Sequence, residues 1–317
     1  MYNIVQRRRW YYLFSTMVIA VGIVAMIYST IEFGTPVRLG VDFESGSRFV
    51  IRLEAAASED EIRVAFEQAG FNNPNVTHLG DPADNTWQVR TKFVDTDTAE
   101  AIIARLSEEV APVDKASSSV DSVSPAISQE VTRSAAIAVA IASGVILLWI
   151  WWAFRRVPHS VRYGVSAIAA MIHDILVTMG FMSIMGILFG WEADALFLTA
   201  MLTVIGFSVQ DTIVVFDRIR ENIPKHRGES FETIANRSLL ETMHRSLATQ
   251  LAAIFVMVSI LLFGGASIKQ FIAVLLVGLL SGTYSSIFIA VPLVVSWEEG
   301  DLQRILGRRP RRASATA

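Results

Sequence analysis

The sequence predicts a polytopic α-helical membrane protein with six transmembrane helices. A small α+β, ferredoxin-like domain is inserted between the first two and lies outside the cytoplasm. Three observations carry this prediction. Hydrophobic residues fill 52% of the 317 positions and the mean hydropathy is +0.45, too apolar for a soluble domain of that length. The apolar residues gather in six long runs, at 10–31, 135–154, 161–189, 195–217, 245–264 and 270–296. Basic residues collect at alternate ends of those runs, as the positive-inside rule requires.

Residues 1–9 read as a cytoplasmic N-terminus, because Arg7, Arg8 and Arg9 precede the first run. That run is long for a signal peptide and no small-x-small cleavage site follows it, so it reads as an uncleaved helix. Residues 32–134 change character. Asp42, Glu44, Glu54, Glu59, Asp60, Glu61 and Glu67 make the stretch acidic. Arg48 to Leu53 alternates like a strand. Ser58 to Gly70 reads as a helix, with Ser58 as N-cap, Glu61 at the capping-box position and Gly70 at the C-cap. Asn75–Leu79 and Trp87–Phe93 read as strands about a Gly-Asp-Pro turn, Thr96–Val110 as a second helix and Val120–Ile127 as a last strand. The order β-α-β-β-α-β is that of a split βαβ domain.

Arg155, Arg156 and Arg162 lie between the second and third runs. Arg218, Arg220, Lys225 and Arg227 follow the fourth, and Arg304, Arg308, Arg309, Arg311 and Arg312 the last. The opposite side carries only Glu192, Asp194 and Lys269. Both termini are therefore expected in the cytoplasm. The tail, 297–317, reads as a lipid-surface contact. With no cysteine there is no disulfide, thiolate metal site or cysteine nucleophile. Nothing resembles a nucleic-acid module, and no cofactor is expected.

Asp211 is the residue around which the chain is organised. It lies fifteen steps beyond Leu196, roughly 22 Å along a helix, in a hydrocarbon layer of about 30 Å. A short acidic side chain at that depth costs at least a few kcal/mol and marks a functional site. Interhelical glue is the alternative, but polar bonds in membranes contribute only about 0.6–2 kcal/mol. Burial and a nearby cation pull its ionisation in opposite directions, so it can load and release a proton. Arg245, at the opening of the fifth run, reads equally as that cation or as an interfacial anchor. Asp174, beside His173 in the third run, reads as a proton relay or a polar bundle contact. No second ligand lies at i+3 or i+4, which argues against metal. Ser208, Gln210 and Thr212 supply polar support around Asp211. Asp217 and Arg218 read as a helix-end ion pair. Gly206, and the GxxxG pair Gly278 and Gly282, read as helix-packing positions.

Several stretches together resemble the SecF subunits of bacterial protein export, which are relatives of the proton-driven RND transporters. They are Gly40-Val41-Asp42-Phe43-Glu44-Ser45-Gly46, Val123-Ser124-Pro125, His173-Asp174, the run Gly206 to Asn222, His244-Arg245-Ser246-Leu247 and Gly282 to Phe288. The resemblance implies an RND-like half in the bacterial inner membrane. It implies work with a separate SecD-like chain, the SecYEG translocon, YajC and a translocating preprotein, driven by the proton-motive force and not by enzymatic catalysis. It also implies that Asp211 is the essential carboxylate, that Arg245 is its basic partner, and that Asp42, Phe43 and Gly46 belong to a tight-turn motif after the first helix. Two departures stand out. Ser45 replaces the first glycine of Asp-Phe-x-Gly-Gly, and Gln210 replaces the usual Asn. An RND-type exporter of lipids or small hydrophobic molecules, a passive assembly scaffold and an intramembrane aspartyl protease are the rival readings. The last lacks its Gly-x-Gly-Asp context.

Overall fold

A computed structural model describes residues 3–71, 74–79, 84–155 and 160–300. The basic tail beyond 300, Arg156 and the Gly80-Asp81-Pro82 turn lie outside the described residues. The chain divides into two compact units. One comprises Met1–Pro36, Val139–Ile184 and Leu196–Ala317; the other comprises Val37–Ala138 and Met185–Ala195.

The helical unit is built on α1 (Arg8–Phe33), α6 (Ser160–Phe189), α7 (Ala195–Asn222), α8 (Phe231–Phe263) and α9 (Ala266–Ser285). A π-helical turn, Ser286–Ala290, joins α9 to α10 (Val291–Glu298). Among the described residues five helices are long and apolar enough to cross a membrane. The chain is therefore a multi-pass membrane protein. The second apolar run lies within α5 (Pro125–Phe154), which spans the division between the units and is not one of the five. Its first turn takes Ile127, which alternation assigned to a strand; Pro125 opens a helix because its fixed φ suits that position.

Helix α8 starts fourteen residues before its apolar run. Ser230 caps it by accepting from the Thr233 N–H, and nothing between breaks the helix. The last run is not one regular helix. Pro292 has no N–H to give the preceding turn, and the widened π turn sits just before it. Tyr163, Phe216, Ile219, Leu239, Val291 and Val294 form a core at one end of this unit.

The second unit holds α2 (Val41–Glu44), β1 (Gly46–Arg52), α3 (Glu59–Gln68), β2 (Asn75–His78), β3 (Thr86–Thr91), α4 (Thr96–Glu109) and β4 (Ser119–Val123). The sheet order is β2-β3-β1-β4, and every pairing is antiparallel. Alternation along β1 turns Phe49 and Ile51 inward. There they meet Ile62 and Phe66 of α3 and Ile102 and Leu106 of α4. The Ser58–Glu61 capping box forms as the sequence requires.

Candidate functional site

Asp211 lies on the buried face of α7 and is 8% exposed. Its Oδ2 accepts from Nε2 of Gln250, a buried residue of α8, at 2.5 Å. That is its one hydrogen bond among the described residues. One turn earlier Ser208 is buried with its hydroxyl unpartnered among the described residues, and Thr212 Oγ1 donates to the Ser208 carbonyl at 3.0 Å. Gln210 and Gly206 point the other way and are exposed, so the supporting amide comes from Gln250 rather than from the neighbouring Gln210. Successive helical residues are about 100° apart, which separates Gln210 from the face of Asp211.

The expected pairing of Asp211 with Arg245 is not formed. Arg245 is exposed and makes no ion pair among the described residues. It precedes Gln250 by five residues, about 140° around α8 and 7.5 Å along it, so the two cannot share one face. Asp217 and Arg218 are likewise not partners of each other. Asp217 pairs with Arg220 at 2.8 Å, while Arg218 reaches Glu241 of α8 at 2.6 Å and Glu221 at 2.8 Å. Buried Asn222 donates to Ser238 and Glu241, each at 2.9 Å, and completes this α7–α8 tie.

Asp174 sits at a second polar centre and is fully buried at 0% exposure. Ser281 Oγ donates to its Oδ1 and Ser285 Oγ to its Oδ2, both at 2.6 Å. These serines are one turn apart on α9 and clasp the carboxylate from one side. His173 Nδ1 lies 3.0 Å from Oδ1, and its Nε2 lies 3.1 Å from Ser15 of α1. Ser15 continues to the Tyr284 hydroxyl at 3.4 Å, and that hydroxyl donates to the Tyr11 carbonyl at 3.0 Å. A hydrogen-bonded chain thus runs through α6, α9 and α1. Sequence reasoning did not single out these two serines; their i, i+4 spacing is the signal that could have found them.

The glycines behave unequally. A Cβ on Gly278 would collide with Val204 Cγ2, and one on Gly282 would lie 3.4 Å from Ser208 Cα. Both let α9 approach α7 closely. Gly206 has nothing within 4 Å and does not serve packing among the described residues, which corrects its reading as a packing position. An unforeseen contact joins α1 to α6, where a Cβ on Gly180 would lie 2.6 Å from Gly22 Cα.

In the second unit Asp42 Oδ2 accepts from the Ala195 N–H, the first residue of α7, at 2.9 Å. Phe43 N–H donates to the Gly40 carbonyl in the same turn, at 3.1 Å. Gly40 N–H donates to Ala193 O, and Ala193 N–H to Arg38 O, both at 2.7 Å. Gly46 has φ 129° and a Cβ there would meet Thr91 O at 2.6 Å, so only glycine fits. Ser45 stands at φ 63° and ψ 160°, a region that favours glycine, which accounts for the family pattern at this position. Glu192 is buried beside Arg90 at 3.2 Å and Arg38 at 3.5 Å, with Gln88 donating at 3.3 Å. Burial raises its carboxyl above the ordinary value, and Arg90, Arg38 and Arg48 pull it back only in part.

The chain is similar to known proteins over its whole length. Residues 102–300 match the family described as protein export membrane protein SecD/SecF, C-terminal. The chain is 44% identical to the protein translocase subunit SecF of Thermobaculum terrenum over all of both chains. It is 42% identical to that of Anaerolinea thermophila, over 99% of this chain and 100% of the relative. Among solved structures it resembles SecDF of Thermus thermophilus, described as a translocon-associated membrane protein, with a TM-score of 0.78 and 26% identity. That match covers 94% of this chain but only 39% of the SecDF chain.

Proposed function

The chain belongs to the SecD/SecF family of protein-export membrane proteins and is a SecF-like protein translocase subunit; from that premise we propose that it carries protons through the membrane at Asp211 to promote preprotein export. The observation that carries the proposal is the thin coordination of Asp211. A buried carboxylate normally collects several donors. This one has a single amide among the described residues, and an amide N–H can serve either the neutral acid or the carboxylate. Arg245 stands nearby on the same helix as Gln250, exposed and uncommitted among the described residues.

In this reading the protonated acid keeps Gln250. The ionised form draws Arg245 across and the helices repack. Asp174 is a further proton-coupling group. Each proton supplies about 2.3 kcal/mol per 100 mV, and a pH unit adds about 1.4 kcal/mol. Those amounts are enough to bias a two-state bundle.

The exposed Gly206, Gln210 and Arg245 are the positions at which a SecD-like subunit would complete the site; the SecDF relatives support such a partner. SecYEG, YajC and the preprotein are the remaining proposed partners, with the bacterial inner membrane as the location. The proposed topology has six spans, with α5 crossing at 135–154, and both termini in the cytoplasm. Residues 32–134 form the outer domain, and the sheet order β2-β3-β1-β4 supports reading it as ferredoxin-like. No enzymatic centre is proposed.

The test is preprotein export into inverted vesicles containing the SecD-like partner, with and without a proton gradient. The gradient should stimulate wild type and have no effect on Asp211→Asn. Equal stimulation of both would overturn the proposal and favour a scaffold.

A further inference from the structure

The Asp174 centre borders an irregularity in the last membrane helix. Ser285, which donates to Asp174 Oδ2 at 2.6 Å, is the last residue of α9, and the π turn begins at Ser286. The same hydroxyl lies 3.2 Å from the Gly282 carbonyl. That carbonyl already accepts the Ser286 N–H, the last α-type bond before the π turn. Ser285 therefore has two acceptors within reach. One is a carboxylate on α6, and the other is the carbonyl that closes its own helix.

A hydroxyl has a single proton to give. While Asp174 is ionised its two oxygens accept from Ser281 and Ser285, and the charge makes these the stronger bonds. When a proton binds Oδ2, that oxygen becomes a donor and points its hydrogen at Ser285 Oγ. Ser285 must then turn its own hydrogen away, and the acceptor in reach is Gly282 O. A serine that bonds back to the preceding turn competes with the backbone and bends the helix. The π turn and Pro292 make this the point where the helix gives most readily.

We propose that Asp174 is a proton-binding centre distinct from Asp211, and that the Ser285 hydroxyl converts its proton state into a change of bend at the Ser286–Ala290 turn. The groups facing Asp174 are His173 on its own helix and Ser281 and Ser285 on α9; Ser15 on α1 and Tyr284 on α9 are reached through His173. On α7 the backbone of Ser208 lies against Gly282. His173 and Tyr284 are the titratable groups of that set. The proposal rests on the reading that the chain conducts protons, and it states how one of them is felt by the helix.

The test is amide hydrogen exchange of the full chain in lipid nanodiscs, followed over residues 281–292 and corrected for the intrinsic rate at each pH. In wild type these amides should exchange about tenfold faster once Asp174 is protonated. Asp174→Asn, which presents a permanent donor, should exchange at the fast rate at every pH. Ser285→Ala should lose the pH response while α6 and α7 keep wild-type protection. A wild-type pH response in Ser285→Ala, or slow exchange in Asp174→Asn, would overturn the proposal. No gradient or partner enters this measurement, so its failure is separable from a failure of Asp211 in the export assay.

Discussion

Asp174 and Asp211 are the same residue type, both buried in the membrane unit, and the protein treats them differently. Asp174 is held by two hydroxyls, with an imidazole against one oxygen. Asp211 is held by one amide, with an unpartnered serine hydroxyl on the preceding turn and an exposed arginine on the facing helix. A carboxylate ringed by donors is costly to strip, because every donor is left stranded. One with a single bond can exchange partners at little cost. The contrast separates a carboxylate fixed by several donors from one held by a single bond.

That difference can be broken directly. Replacing each aspartate by leucine should destabilise the chain unequally. Asp174→Leu strands Ser281, Ser285 and His173, at about 0.6–2 kcal/mol each. Asp211→Leu strands only Gln250. Thermal unfolding in detergent should show the larger drop for Asp174→Leu, and equal drops would contradict the stated coordination. The glycines sharpen the same contrast between tight and open surfaces of α7. Gly278→Ala drives a methyl into Val204, a stiff β-branched side chain, and should cost about 1–3 kcal/mol. Gly206→Ala meets open space and should leave the unfolding midpoint unchanged.

How much of this was legible in the sequence follows from what each signal depends on. Depth in an apolar run located Asp211, and alternation with capping located β1, α3, β2, β3 and α4 of the second unit, but not α2 or the end of β4. Those signals are local. Partners are not. The amide on Asp211 is Gln250, thirty-nine residues away, whereas the adjacent Gln210 is turned about 100° from Asp211 onto an exposed face. Asp42 was recognised by motif, but its bond to the start of α7 joins positions 153 residues apart. The π turn depends on Pro292 together with the packing around it, and periodicity does not register that combination.

Glu192 gives the smallest effect, a pH dependence that lies outside the membrane helices. Its carboxyl is raised by burial, so the folded unit holds the proton more tightly than the unfolded chain. The stabilisation is full below the unfolded value, near 4.3 or so, and is lost as pH rises through the higher folded value. Amide protection over residues 185–195 should fall modestly across that window in wild type. Glu192→Gln should flatten the dependence.

The central claim is that Asp211 binds a proton within the membrane. Infrared difference spectroscopy of the full chain in lipid, titrated through neutral pH, reads protonated carboxyl groups by their carbonyl stretch. A titrating band that disappears in Asp211→Asn and persists in Asp217→Asn is the predicted result. A spectrum that Asp211→Asn leaves unchanged would contradict the account.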